Sequence, residues 1–216
     1  MDFEAAREAM VADQIIRRGI RDERVLAALR QVPRHRFLPE EAWKLAYSDS
    51  PLKIGQGQTI SQPYIVALMT ELLQVRPGDK VLEVGTGSGY QAAVLALLAS
   101  EVHSIERVPE LAEQAEANLS ALGVENVRVH LGDGSQGYPP AAPYDRILVA
   151  AAAPKTPPAL LAQLAEGGQL VIPVGGRTMQ TLEIWDRKRG KFTQTNSIPV
   201  VFVPLLGAAG WKELGG

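Results

Sequence analysis

The sequence predicts an α/β fold: a doubly wound, mostly parallel sheet with an antiparallel edge, preceded by a helical N-terminal extension. Three observations carry that expectation. From residue 80 onward, short apolar runs alternate with helix-length segments, the rhythm of a parallel sheet covered by helices on both faces. The first run opens into the closely spaced glycines Gly85, Gly87 and Gly89, and open α/β sheets bind ligands where their strands end. No helix-length segment separates the last two strand-like runs, so they pair antiparallel at one edge.

The elements follow in order. Ala5, Ala6, Ala9, Met10, Asp13, Ile16 and Arg17 trace an amphipathic helix ending near Gly19, and a short helix over 22–30 stops at Pro33. Between 33 and 63, Pro39, Pro51, Gly55, Gly57 and Pro63 interrupt any long element, and the stretch reads as irregular. A helix resumes over 62–74, with Ile65, Leu68, Met69, Leu72 and Leu73 on one side. Strands over 81–84, 102–105, 127–131, 146–150 and 169–173 are interspersed with helices over 90–99, 109–122 and near 157–164. Runs over 181–185 and 198–203 supply the antiparallel edge. The chain reads as one domain, 1–216, in which 1–60 form the extension and 61–216 the α/β core.

Composition removes several chemistries. At 216 residues and 46% hydrophobic content, the chain can bury enough apolar surface to offset its ordering entropy. With no cysteine there is no disulfide, thiolate metal site or cysteine nucleophile. A net charge of −2 gives no electrostatic reason to expect nucleic acid or an anionic membrane. The start, Met1-Asp2-Phe3-Glu4, lacks the apolar core of a signal peptide. The longest apolar stretches fall short of a membrane span, so a cytoplasmic location is expected. His35, His103 and His130 lie scattered in the sequence, which reads as surface or strand-edge histidine and not as a metal site. Arg17-Arg18 and Arg34-His35-Arg36 read as solvated faces, and Tyr64, Trp43, Trp185 and Trp211 as packing residues.

The sharpest motif is Glu83-Val84-Gly85-Thr86-Gly87-Ser88-Gly89. Glycines after a buried strand let the backbone approach a nucleotide-like ligand without Cβ interference. The spacing G-x-G-x-G departs from the G-x-G-x-x-G of dinucleotide sites. Glu83 would face the ligand crevice from the strand end, where a carboxylate suits a positively charged ligand and repels a pyrophosphate. That favours S-adenosyl-L-methionine over NAD. Glu106 follows Gly85 by 21 residues, about the separation at which an acid accepts from ribose hydroxyls, and Arg107 adjoins it. Asp133 ends the third strand, placed to accept from an adenine amine, with Gly134 allowing a tight turn. The fold is accordingly expected to be a Rossmann-like class I S-adenosylmethionine-dependent methyltransferase.

The acceptor is approached by elimination. Pyrimidine C5 methylation needs a cysteine. Amino-group methylation commonly uses an Asp/Asn-Pro-Pro-aromatic turn, whereas the fourth strand here leads into Ala150-Ala151-Ala152-Ala153-Pro154. A carboxylate acceptor fits the poverty of acid–base residues, because free carboxyls titrate near about 4 and need no base at neutral pH. Rate would then come from proximity and exclusion of water.

Residues 54–64, Ile-Gly-Gln-Gly-Gln-Thr-Ile-Ser-Gln-Pro-Tyr, resemble the signature of the protein-L-isoaspartate (D-aspartate) O-methyltransferases. The likeness extends to the glycine loop, Gly132-Asp133-Gly134 followed by Gly137-Tyr138, Pro143-Tyr144-Asp145, the alanine run, residues 167–175 and Phe202-Val203-Pro204-Leu205. It implies methylation of the free α-carboxylate of L-isoaspartyl residues in damaged proteins and peptides, the ester then cyclising to a succinimide; whether D-aspartyl residues are accepted stays open. It implies Ser61 as the catalytic-site serine, read here as a hydroxyl donor and not a nucleophile. Thr59 and Ile60 carry over as neighbours lining the same cleft, beside both cofactor and substrate. Val203, Pro204 and Leu205 would offer backbone to an extended peptide. Alone, Ser61 before Gln62-Pro63 also reads as a helix N-cap. Three alternatives stand beside this reading: another methyl acceptor, a non-catalytic adenosylmethionine-binding module and, more distantly, an NAD-dependent dehydrogenase. Neither a nucleic-acid nor a membrane partner is expected, and a monomer is favoured.

Overall fold

The computed structural model describes residues 2–212. Asp2 caps α1 (Phe3–Ala9) by accepting from the Glu4 and Ala5 amides. The helix then widens to π geometry over Met10–Ile15 and tightens to a 3-10 turn over Ile16–Arg18. Gly19 ends it in the left-handed conformation. Asp22 caps α2 (Glu23–Gln31), whose Val25, Leu26, Ala28 and Leu29 are buried. Two 3-10 turns follow, Arg34–Phe37 and Glu40–Leu45.

The stretch expected to be irregular contains an antiparallel hairpin, β1 (Leu52–Gly55) and β2 (Gln58–Ile60). Its turn uses Gln56 and Gly57, both at positive φ. The strands are too short and glycine-rich to show a period-2 pattern, so the turn was the only legible signal. The remaining elements are α3 (Pro63–Leu73), β3 (Lys80–Val84), α4 (Tyr90–Ala96), β4 (Glu101–Glu106), α5 (Pro109–Ala121), β5 (Val127–Leu131), β6 (Tyr144–Val149), α6 (Pro158–Ala162), β7 (Leu164–Gly175), β8 (Gln180–Lys188) and β9 (Lys191–Val200).

The strands β3 to β9 form one sheet in the order β5-β4-β3-β6-β7-β8-β9. The five from β5 to β7 are mutually parallel, and β8 and β9 add antiparallel. Chain order reverses direction at β3, so a crevice opens beyond the carboxyl ends of β3, β4 and β6. On one face, Val81, Val102, Leu148, Val171 and Leu182 pack under α3, α4 and the N-terminal extension. On the other, Leu82, Val84, Ile147, Val149 and Ile172 pack against Leu160 of α6.

The last strand begins at Lys191, seven residues before its expected start. Arg189 and Gly190, both at positive φ, make the two-residue turn that joins it to β8. Residues 193–197 are polar and outward on this edge strand, which hides them from any hydrophobic periodicity.

Candidate active site

The crevice at the strand ends is a cleft of about 280 Å³. Gly85 and Gly87 form its floor, both at positive φ that a side chain would strain. Glu106, Arg107 and Val108 make one wall, Gly134 and Ala150 adjoin it, and Gln56, Gln58 and Thr59 of the β1–β2 hairpin stand across it. The C-terminal segment Val203-Pro204-Leu205 completes the wall. Gln56 and Gln58 were not singled out in the sequence, because their approach to the cleft depends on the unrecognised hairpin.

Glu106 is turned back onto the loop. Its Oε2 accepts from the Gly87 amide at 2.8 Å, and its Oε1 accepts from the Arg107 and Val108 amides at 2.7 and 3.0 Å. One carboxylate therefore sets the position of the glycine loop while keeping lone pairs toward the cleft.

Glu83 does not stand on the cleft wall, contrary to the sequence expectation. It is completely buried, and its register opposite Ser104 lets that hydroxyl donate to Oε2. Thr86 Oγ1 and Ser104 Oγ extend the chain of contacts at 2.5 Å. Burial pushes the Glu83 carboxyl up to about 8; the Ser104 hydrogen bond opposes the shift and the Glu106 charge adds to it. Its Oε1 has no partner among the described residues and lines neither the cleft nor the small cavity beside it. The residues that do line the cleft fit S-adenosylmethionine: the Glu106 carboxylate as acceptor for hydroxyls, apolar walls and a backbone-lined floor.

Asp133 also differs from expectation. Its Oδ1 accepts from the Ser135 amide and hydroxyl, and its Oδ2 accepts from the Ala208 amide at 2.7 Å. The carboxylate is held below its usual pKa by these bonds and by Arg107, which together outweigh the opposing effect of burial. It ties the C-terminal segment to the end of β5 and is not among the cleft-lining residues, whereas Gly134 is. A Cβ at Gly89 would lie 3.4 Å from the side chains of Ala115 and Leu119 of α5, so this glycine faces α5 and not the cleft.

A cavity of about 40 Å³ adjoins the cleft, lined by Thr59, Ile60, Ser61, Thr86, Ser88 and Tyr90 among others. Beyond it runs a groove of about 700 Å³ between Ser61, Gln62, Tyr64 and the strand-to-tail segment 198–203. Thr59 and Ala150 border all three spaces, and Val203 borders cleft and groove. The N-cap of α3 is Gln62, not Ser61. Among the described residues, the Ser61 hydroxyl takes no hydrogen bond, so it is not spent on capping.

The C-terminal segment is pinned where it passes the junction. The Val203 carbonyl accepts from the Ala152 amide at 2.8 Å, and the Leu205 amide donates to the Ala152 carbonyl at 2.7 Å. Pro204 has no N–H. The backbone left for a ligand is thus at Val203 N–H and at Val201, a residue 74% exposed.

Of the arginines expected on solvated faces, Arg18 is exposed and Arg34 is not. Arg18 stacks 3.5 Å over the Tyr64 ring and pairs with Asp49 at 2.9 Å, at one end of the groove. Tyr64, read as a packing residue, packs against the core and also forms groove wall. Arg34 is completely buried. His103 and His130, distant in sequence, stack at 5.1 Å and share a 2.9 Å hydrogen bond, because β4 and β5 are neighbours. Among the described residues, no cluster of three or more His, Asp or Glu could hold a metal, and no helix is long and apolar enough to cross a membrane.

Comparison with known proteins accords with this geometry. The family profile described as protein-L-isoaspartate(D-aspartate) O-methyltransferase matches residues 5–210. A protein-L-isoaspartate O-methyltransferase of Methanoculleus marisnigri is 55% identical over 206 residues, spanning 95% of this chain and 94% of its own. One from Methanoregula boonei is 57% identical over 207 residues, spanning 96% and 95%. A Plasmodium falciparum structure, described as a protein-L-isoaspartate O-methyltransferase in complex with S-adenosyl-L-homocysteine, superposes with a TM-score of 0.82 at 28% identity, covering 95% of this chain and 99% of that one. A further structure of that enzyme name gives a TM-score of 0.84 at 30% identity, covering 94% and 67%. The chain belongs to the protein-L-isoaspartate (D-aspartate) O-methyltransferase family.

Proposed function

We propose that this S-adenosylmethionine-dependent enzyme esterifies the free α-carboxylate of L-isoaspartyl residues in damaged proteins at the junction of cleft and groove, with Ser61 orienting the acceptor. When bound in the cleft, S-adenosylmethionine supplies an electrophilic methyl group. Glu106 accepts from ribose hydroxyls without releasing the glycine loop, and buried Glu83 supports that loop from below through Ser104 and Thr86. Gly85, Gly87 and Gly134 keep side chains out of the way, and Thr86 and Ser88 shape the small cavity beside them.

The observation that carries the reading is the meeting of cleft and groove at Thr59, Ala150 and Val203, with an uncommitted serine hydroxyl beside them. An acceptor carboxylate arrives ionised and needs no base. Ser61 donates to one carboxylate oxygen, and the amino end of α3 just beyond favours the same charge. Ile60 packs behind it, and Val203 N–H receives the peptide backbone. Phe202, Ile198 and Val200 exclude water from the groove. Without a neighbouring base, Ser61 is not activated as a nucleophile.

The test is Ser61→Ala. Loss of one positioned donor predicts a fall of about 100-fold in kcat/KM on an isoaspartyl peptide, with cofactor affinity within about twofold of wild type. Equal loss of both, or loss of neither, removes Ser61 from the acceptor role.

A further inference from the structure

Behind Ser61 lies a buried cation that, among the described residues, has no carboxylate partner. Arg34, in the 3-10 turn after Pro33, is completely buried. Its Nε donates to the Ala46 carbonyl at 2.8 Å, and its Nη2 donates to the Ser61 carbonyl at 2.8 Å. Its Nη1 has no partner. Among the described residues, no carboxylate lies within ion-pair distance of it. The guanidinium sits 4.9 Å from the centroid of Tyr90, the first residue of α4 after the glycine loop. Tyr90 is itself buried with its hydroxyl interacting with the guanidinium, and it shares the small cavity with Ser61.

Burial lowers the guanidinium pKa to about 10, so the group remains charged at neutral pH. Holding a charge in such a place without a counter-ion is costly, while an apolar side chain of similar length would fill the slot without that cost. Two carbonyl acceptors and the Tyr90 ring and hydroxyl offset only part of it. Charges interact more strongly in this low-dielectric interior than in water, so an anion brought to Ser61 would feel Arg34 through the Ser61 peptide group.

We propose that Arg34 is a positioning residue that fixes Ser61 through its carbonyl and supplies, from behind, the positive potential that selects an anionic acceptor. Its counter-ion is the α-carboxylate of the substrate, reached through Ser61 without direct contact. The inference rests on the reading of the groove as the acceptor site.

The experiment measures equilibrium binding of two probes, an isoaspartyl peptide with a free α-carboxylate and the same peptide as the α-carboxamide. Wild-type protein is expected to favour the carboxylate. Arg34→Met is expected to weaken carboxylate binding about tenfold, in line with removal of one partner from a charge pair. The carboxamide should stay within about twofold, and Tm should be unchanged or higher because an uncompensated buried charge is gone. Arg34→Lys keeps the charge and gives up one carbonyl bond, and is expected to retain most of the carboxylate preference. It also serves as the reading should Arg34→Met not fold. Equal weakening of both peptides in Arg34→Met, or loss of the preference in Arg34→Lys, would reduce Arg34 to scaffolding and overturn the proposal. A wild-type protein that binds the two peptides alike would instead remove the acceptor reading beneath it.

Discussion

The two sides of the proposed reaction centre are built from different side chains. On the cofactor side, Glu83 lies under the glycine loop and Glu106 along the wall, and Asp133 secures the tail that closes it. On the acceptor side, Arg34 backs Ser61 and Arg18 stacks at the far end of the groove. On the proposed reading, the cofactor side offers the Glu106 carboxylate beside Arg107, with Glu83 buried in neutral form beneath, and the acceptor side offers a serine hydroxyl backed by a buried guanidinium. The difference explains why that reading needs no general base: the acceptor carboxylate arrives ionised and Arg34 favours that form.

Glu106→Ala should break the cofactor side most strongly. It removes the acceptor for ribose hydroxyls and frees the Gly87, Arg107 and Val108 amides together. Cofactor affinity measured by calorimetry is expected to fall at least tenfold, a loss consistent with several charge-assisted hydrogen bonds, while isoaspartyl peptide affinity stays near wild type. If peptide binding falls in parallel, the two sides are not separable as drawn.

Glu83→Gln sharpens the comparison through stability. The Glu83 pKa is raised from 4.5 to about 8 in the fold, so the unfolded chain ionises first as pH rises. The stability that neutral Glu83 confers is fully present below pH 4.5 and is lost as pH rises through 8. In the ligand-free protein, Glu83→Gln should match wild-type Tm near pH 4 and exceed it by roughly 5 °C or more at pH 8. A Tm difference that does not change with pH would mean that Glu83 is not buried in neutral form.

How much of this could be read in the letters differs between the same two sides. The parallel strands were legible because they are buried on both faces and read as apolar runs. Glu106 was legible because it lies a fixed distance after the glycines. The acceptor side was harder. Its hairpin is seven residues of strand around Gln56-Gly57, and no periodicity emerges from so little. Arg34 stood in a run with His35 and Arg36 that resembles any solvated face, and only the coordinates of Ala46, Ser61 and Tyr90 around it reveal its burial. Asp133 was recognised by position, but its bond to Ala208, 75 residues away, is a tertiary pairing with no local trace.

The smallest effect is expected at that bond. Asp133→Ala releases the Ala208 amide and the Ser135 turn, and should cost about 1–2 kcal/mol of stability. Hydrogen exchange should speed up at Ala208 and Ser135 before any change at β3. Unchanged protection at Ala208 would contradict the role of Asp133 as anchor of the C-terminal segment.

The most direct test of the account is transfer of labelled methyl from S-adenosylmethionine to an isoaspartyl peptide and, in parallel, to its normal aspartyl twin. The arrangement of cleft, Ser61 and groove predicts base-labile label on the isoaspartyl peptide alone. Label on neither peptide, with cofactor binding intact, or label on both alike, would contradict it.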